Sequence, residues 1–569
     1  MRFYITIILL IILSCAGYAQ IAPSKYWIQF TDKDNTPYSI NNPAEFLSQR
    51  AIDRRVRQGI SISENDLPVD PAYVDSIKNT GVIIFNTSKW FNSVTIQTTD
   101  SLILEKILAF PFVVKLENIG KVSNKGSDNK MEKTFEVPDD YSNDQFSNKS
   151  LFDSKSPYNS STTINYGPSL IQIGMLGGTI LHEQGYHGDG LIIAVLDAGF
   201  WKVDEHDIFD SLWLNNRILG TKDFVNPGGN VFKEHSHGMS VLSIMGGNKP
   251  GSLVGVAPHA KYWLLRSEDT GSEYLIEEYN WVSAAEFADS AGVDIINSSL
   301  GYSVFWNSSQ DHTYQDMDGK TTPSTIGADI AVSKGILVVN SAGNQGAGSW
   351  KYITAPSDGF EVLCIGAVDN EENYASFSSK GPSYDGRIKP NVSAMGEGAF
   401  IVSSGGNIVN GNGTSFSSPL IAGMSACLWQ CKPDASVYEI IDAIEKSSSL
   451  YSDPDTLLGY GVPDFALAKI ILSNPEINDF ESNNSLDVFP NPFYDNLFVF
   501  FYSSGTYKVQ FEIFDISGKK VYFDENIIRK PGYNLYTINM AKYLPQGVYV
   551  LKMISNGIVA EEKIIKLNR

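Results

Sequence analysis

The alternation of apolar and polar positions divides the chain into stretches of different period. Residues 25–30 read as a strand, and 81–85 and 93–96 are further strand candidates. Residues 43–58 carry Phe46, Ile52 and Val56 at helical spacing, which predicts a helix buried on that face, and 100–109 predicts a second. Residues 24–120 are thus expected to form one small α+β unit. From 121 to 165 Ser, Asn, Asp and Lys crowd together without apolar periodicity, the mark of an exposed linker. Between 166 and 473, short Val/Ile/Leu-rich runs at 191–196, 294–297, 336–340 and 362–368 alternate with helical patterns. Such runs are strands of a parallel sheet covered by helices on both faces. Active sites in those sheets lie beyond the carboxyl ends of the strands, so the residues that end each run matter most.

After a second polar joint at 474–485 the pattern changes again. Strand-like segments at 498–502, 508–515, 521–523 and 547–553, with turn signals Ser517-Gly518 and Pro531-Gly532, predict an all-β sandwich over 486–569. At the other end, Arg2, the apolar run 5–13 and the small residues around Ala19 have the layout of a secretory signal peptide over 1–19, cleaved after Ala19. Acylation of Cys15 is the alternative export route. The run is far short of the roughly 20 residues that span a bilayer.

Composition narrows the class. At about 150 residues per domain, 569 residues imply three or four domains, and 43% hydrophobic content is enough to give each a core. Lys and Arg number 43 against 64 Asp and Glu, a net charge of −21, which argues against a duplex-binding surface; no nucleic-acid partner is expected. Four cysteines cannot make a disulfide scaffold. Cys364 lies in an apolar run, Cys427 and Cys431 are four apart on a predicted helix, and no essential disulfide is expected.

Three places carry candidate chemistry. The run 193–196 ends in Asp197-Ala198-Gly199, where a carboxylate can face a cleft or cap a helix. His235-Ser236-His237-Gly238 leads into a helical pattern and offers either a general base or a weak His-x-His metal pattern. Gly413-Thr414-Ser415 opens a small-residue helix that contains Pro419, so Ser415 is either a capping serine or a nucleophile beside backbone N–H groups able to stabilise an oxyanion. Each alone is ordinary. In the order Asp, His, Ser they match a known catalytic arrangement.

On these motifs, residues 166–473 resemble a subtilisin-type serine peptidase (subtilase). Val195-Leu196-Asp197-Ala198-Gly199 corresponds to the family's aspartate motif, and Gly413-Thr414-Ser415-Phe416-Ser417-Ser418-Pro419 matches its serine motif in full. His237-Gly238-Met239-Ser240-Val241 corresponds to the histidine motif, with Met239 and Ser240 departing from it. Val339-Asn340-Ser341-Ala342-Gly343-Asn344 resembles the oxyanion segment; Gly255-Val256-Ala257-Pro258 and Asn297-Ser298-Ser299-Leu300-Gly301 match two further stretches.

The resemblance implies a secreted serine endopeptidase with Asp197, His237 and Ser415 as triad and Asn344 as oxyanion donor. Ser299, Leu300 and Gly301 would pair with extended peptide substrate, and Ser341, Ala342 and Gly343 would wall a specificity pocket with room for a large apolar side chain. It also implies that residues 24–120 are a prodomain that inhibits the enzyme until cleaved within the linker. No cofactor is required and no metal ligand is assigned: structural calcium is common in the family, but Asp204, Asp207 and Asp210 match no calcium loop. Residues 486–569 resemble the type A sorting domain of the type IX secretion system, through Val488-Phe489-Pro490-Asn491-Pro492 and Leu544-Pro545-Gln546-Gly547-Val548-Tyr549. The outer-membrane secretion machinery is then a partner, and the product is extracellular or attached to the cell surface; a carbohydrate-binding or adhesive sandwich is the alternative for this segment. The rival function is a catalytically inactive subtilase scaffold acting as a surface-exposed binding protein.

Overall fold

The computed structural model describes residues 24–121, 164–473 and 486–567, apart from 495–496, 504, 530–531 and 539–542. The expected signal peptide, nearly all of the 121–165 linker and the 474–485 joint lie outside the described residues. The N-terminal unit runs β1 (Lys25–Phe30), α1 (Gln49–Arg57), α2 (Pro71–Lys78), β2 (Ile83–Ser88), β3 (Ser93–Gln97), α3 (Ser101–Leu108) and β4 (Val113–Gly120). Its sheet has the order β2-β3-β1-β4, and every neighbouring pair is antiparallel. Tyr26, Ile28, Phe30, Val94 and Ile96 pack against Ile77 and Ile107 from the helices. The N-termini of α2 and α3 are capped by Asp70 and Asp100, whose carboxylates accept the otherwise unpaired first-turn N–H groups.

The helix expected over 43–58 is shorter and turned the other way. Pro43–Glu45 form a single 3-10 turn, and α1 starts only after Ser48, whose hydroxyl accepts from the Ala51 N–H. Val56 is 74% exposed, and the buried face carries Ala51, Arg54 and Arg55. The cause lies elsewhere in the chain. Helix α5 of the next domain (Ile276–Ala291) presents Asp289, fully buried, to which Arg54 Nη2 donates at 2.6 Å, Arg55 Nη2 at 2.8 Å and Lys89 Nζ at 2.8 Å. Asp66 joins the cluster through Arg55 at 2.8 Å and Lys334 at 3.2 Å. Glu286, one turn back on α5, accepts from the Lys89 and Trp90 backbone N–H groups at 2.7 and 3.0 Å. An apolar contact completes the interface: Trp27 stacks on Tyr279 with ring centroids 5.2 Å apart, beside Ile119 and Ile276.

The central domain is built on seven parallel strands: β5 (Ile192–Asp197), β6 (Ile218–Asp223), β7 (Lys261–Arg266), β8 (Ile295–Ser298), β9 (Leu337–Ser341), β10 (Leu363–Val368) and β11 (Val392–Met395). Their order is β11-β10-β9-β8-β5-β7-β6. The predicted runs are its middle strands, and β5, β8, β9 and β10 are buried along their whole length. Helices α4 (His237–Gly246), α6 (Pro323–Ser333) and α7 (Thr414–Cys431) join α5 around it. Cys364, Cys427 and Cys431 are free thiols.

The last domain is a sandwich of a three-stranded and a four-stranded antiparallel sheet, with Val488, Val499 and Phe501 facing Phe511, Ile513 and Leu551. Strands at Gly532–Ile538 and Ile558–Lys566 were not foreseen; both carry polar residues that mask the alternation. Phe500 and Tyr533 stack at 5.7 Å and join the core of the central domain beside Tyr451.

Burial works to raise the Asp289 carboxyl, but Lys89, Arg54 and Arg55 outweigh it and hold the group well below its ordinary value of 3.8. A depressed acid contributes stability that is present at neutral pH and lost as pH falls below the ordinary carboxylate range. Asp289→Ala removes the carboxylate shared by three buried cations, of which, among the described residues, only Arg55 keeps a second one, in Asp66, at an expected cost of about 3–5 kcal/mol. Denaturant titration of the full chain should show that loss at pH 7 and a gap between variant and wild type that starts to narrow only as pH falls below the ordinary carboxylate range. Equal stability at pH 7 would show that the cluster contributes nothing net.

Candidate active site

The carboxyl edge of the parallel sheet gathers the chemistry. Asp197 is the last residue of β5 and is fully buried; its Oδ1 accepts from the Ala198 N–H at 2.7 Å and faces His237 Nδ1 at 2.7 Å. That contact assigns the Nδ1 proton to the imidazole and leaves Nε2 as the basic nitrogen. His237 opens α4, and the His237 N–H donates to His235 Nδ1 at 3.1 Å, so His235 helps to satisfy the helix start. Gly238 lets the two elements approach: a Cβ there would lie 2.5 Å from the Gly199 carbonyl oxygen and 2.8 Å from Asp197 Cβ.

Ser415 is the second residue of α7, behind Gly413, and is 2% exposed. Pro419 stands four residues further on and has no N–H for the Ser415 carbonyl, as the helical ladder would require. The Ser299 hydroxyl takes that place, donating to Ser415 O at 3.0 Å, while Ser415 Oγ donates to Ser299 O at 3.3 Å. The serine is therefore tied to the end of β8 from both sides. Asn344 follows β9. Its Oδ1 accepts from the Thr414 N–H and the Thr414 hydroxyl, both at 2.9 Å, which turns the amide NH2 away from Thr414 and makes it available as a donor.

A cavity of about 250 Å³ lies beside these groups, lined by Ser415, Asn344, Ser299, Leu300, Gly301, Ser341 and Gly343. Ala342 is placed differently from the expectation: it is fully buried and packs with Ile353 and Cys364 behind the cavity wall. Met239 and Ser240 leave the imidazole undisturbed. Met239 is fully buried in the core, and Ser240 Oγ donates to Val402 O at 2.6 Å, tying α4 to the hairpin formed by 399–402 and 408–411.

Two supporting residues escaped the sequence reading. Arg266 ends β7 and donates through Nε to Ala198 O at 3.1 Å, while Nη1 reaches Asp223 at 3.1 Å, so it holds the turn that follows Asp197. Nothing in a strand run ending in Arg marks it. Thr414 anchors Asn344; its place beside Ser415 in the serine motif was visible, but its partner was not. Among the described residues, Glu268, Glu273 and Glu277 are the one group of three His, Cys, Asp or Glu side chains whose ligand atoms lie within 4.8 Å of one another. Asp204, Asp207 and Asp210 are all exposed, and Asp207 pairs with Lys249 at 2.5 Å.

Residues 188–461 match the subtilase family, 25–134 the Peptidase S8 propeptide domain of Bacteroidota, and 487–567 a secretion-system C-terminal sorting domain. The chain is 30% identical over 294 residues to subtilisin of Bacillus pumilus, covering 50% of this chain and 92% of that protein. Against subtilisin E of Bacillus subtilis strain 168 it is again 30% identical over 294 residues, and spans 66% of that relative's length. The solved structure of MycP1 from Mycobacterium smegmatis aligns at 21% identity and a TM-score of 0.42, over 55% of this chain and 86% of that one.

Gly238→Ala would drive a methyl group into the Gly199 carbonyl oxygen and Asp197 Cβ, atoms that no change of rotamer moves away. Overpacking of this kind costs ~1–3 kcal/mol. A lowered thermal midpoint is expected; an unchanged midpoint would show that α4 can move away from β5 freely.

Proposed function

The chain belongs to the subtilase family, and from that premise we propose that it is an exported serine endopeptidase, made as a precursor, that cleaves extended peptide segments. Ser415 Oγ attacks the scissile carbonyl, His237 Nε2 takes its proton and returns it to the leaving amine, and Asp197 holds the imidazole in the required tautomer. The Asn344 amide and the Ser415 backbone N–H receive the developing oxyanion. The observation that carries this reading is the 2.7 Å contact of His237 Nδ1 with the wholly buried Asp197 carboxylate, at the edge where Ser415 and Asn344 line one cavity. An imidazole so held keeps its proton on Nδ1 and offers Nε2 as the base.

Residues 24–121 are proposed as the inhibitor of the same chain, docked through the Asp289 cluster and the Trp27–Tyr279 stack. Residues 486–569 are proposed to engage the outer-membrane secretion machinery. Deleting them should leave an active enzyme retained in the periplasm; secretion of the truncated chain would assign the sandwich a binding role instead.

A fluorophosphonate probe tests the chemistry. Wild type should gain one adduct mapped to Ser415, and both Ser415→Ala and His237→Ala should abolish it. No adduct on wild type cleaved within the linker and freed of the N-terminal unit would overturn the peptidase reading in favour of an inactive scaffold. Asn344→Ala should retain the adduct but lose about 100- to 1,000-fold in turnover, the effect of removing one oxyanion donor; undiminished turnover would remove Asn344 from that role.

A further inference from the structure

Two glycines wall the cavity beside Ser415, and one side chain reaches both. A Cβ on Gly301 would lie 2.2 Å from Thr354 Oγ1, and a Cβ on Gly343 would lie 3.0 Å from the same atom. Thr354 lines the cavity with Ser415 and Asn344. Its backbone is held to both wall segments: the Thr354 N–H donates to Ala342 O at 3.3 Å, and the next residue, Ala355, exchanges backbone hydrogen bonds with Tyr302 at 3.1 and 2.8 Å. The side chain is only 3% exposed, yet its hydroxyl has no hydrogen-bond partner among the described residues.

Resting on the peptidase reading above, we infer that Thr354 is the floor of the pocket that receives the substrate side chain preceding the scissile bond, and that it selects small residues there, with Ser and Asn ahead of Ala. The space that two facing glycines leave open is filled by its branched side chain, so the large apolar residue expected from the small walls alone does not fit. A buried hydroxyl without a partner bears the full cost of its desolvation, and a short polar side chain entering the pocket supplies the missing partner. Volume and hydrogen bonding thus act through the same residue and can be separated by substitution. Thr354→Gly removes both; Thr354→Val keeps the volume and removes only the hydroxyl.

The test uses protein produced as the full chain and matured by cleavage within the 121–165 linker, with release of the N-terminal unit followed by intact mass, and tripeptide aldehydes identical except for the last residue, competing with fluorophosphonate labelling of Ser415. With wild type, the alaninal, serinal and asparaginal peptides should compete at least ~10-fold better than the phenylalaninal peptide, the lower end of what one pocket contact supplies. In Thr354→Gly that ratio should fall or invert by ~10- to 200-fold. In Thr354→Val the discrimination against phenylalaninal should remain, while the advantage of serinal over alaninal disappears. The uninhibited labelling rate of each variant reports an intact nucleophile independently of the pocket. Best competition by phenylalaninal or argininal in wild type, no competition by the small aldehydes, or a ratio unchanged in Thr354→Gly would overturn the inference. Loss of labelling in wild type would instead overturn the peptidase reading itself.

Discussion

A carboxylate at the tip of a strand buried on both faces has to be satisfied where it stands, because water does not reach it. Asp197 meets that demand on Oδ1 alone, with the Ala198 N–H and the His237 imidazole; its Oδ2 is buried without a partner among the described residues. Much of the local architecture serves the second contact. Helix α4 must start against the end of β5, which leaves no room for a side chain at Gly238, and the intervening turn must be held, which Arg266 does through Ala198 O. Ser240 then ties the other side of α4 to the hairpin at 399–402. The imidazole is thus held through β5, α4, β7 and the hairpin together.

The serine side of the cleft obeys a comparable backbone rule. Pro419 removes the N–H that would have taken up the Ser415 carbonyl, and Ser299 replaces it from the end of β8. Thr414 does the same for Asn344 by occupying its carbonyl. Ser415 and Asn344 are therefore positioned by hydrogen bonds between the start of α7 and the ends of β8 and β9, and the parallel order of β8 and β9 is what brings those ends side by side.

Electrostatics outside the cleft follows a different logic. The chain carries a net charge of −21 and concentrates acids on α5, where Glu277, Glu278, Glu286 and Asp289 are all buried. Glu278 finds His312 and Ser324 within the central domain. Asp289 and Glu286 find theirs on the N-terminal unit, in Arg54, Arg55, Lys89 and the backbone at 89–90. Docking of that unit therefore supplies the partners of Asp289 and Glu286, with the Trp27–Tyr279 stack supplying apolar area alongside.

Local pattern was enough for the parallel sheet, since strands buried on both faces are apolar throughout, and for placing Asp197, His237 and Ser415 at strand ends or helix starts marked by glycine; Asn344 was marked only by the family resemblance. It was not enough for α1. Periodicity assigned Val56 to a buried face, and the burial of Arg54 and Arg55 depends on Asp289, more than two hundred residues away. The pocket shows the same division: Gly301 and Gly343 read as open walls, and the residue between them, Thr354, enters from a third loop. Sequence alone determined which groups can perform acid–base and nucleophilic chemistry, because those identities and their element boundaries are local. Tertiary structure decided which charges are compensated and how deep the pocket is, because both are set by side chains that share no segment and meet only when the domain closes.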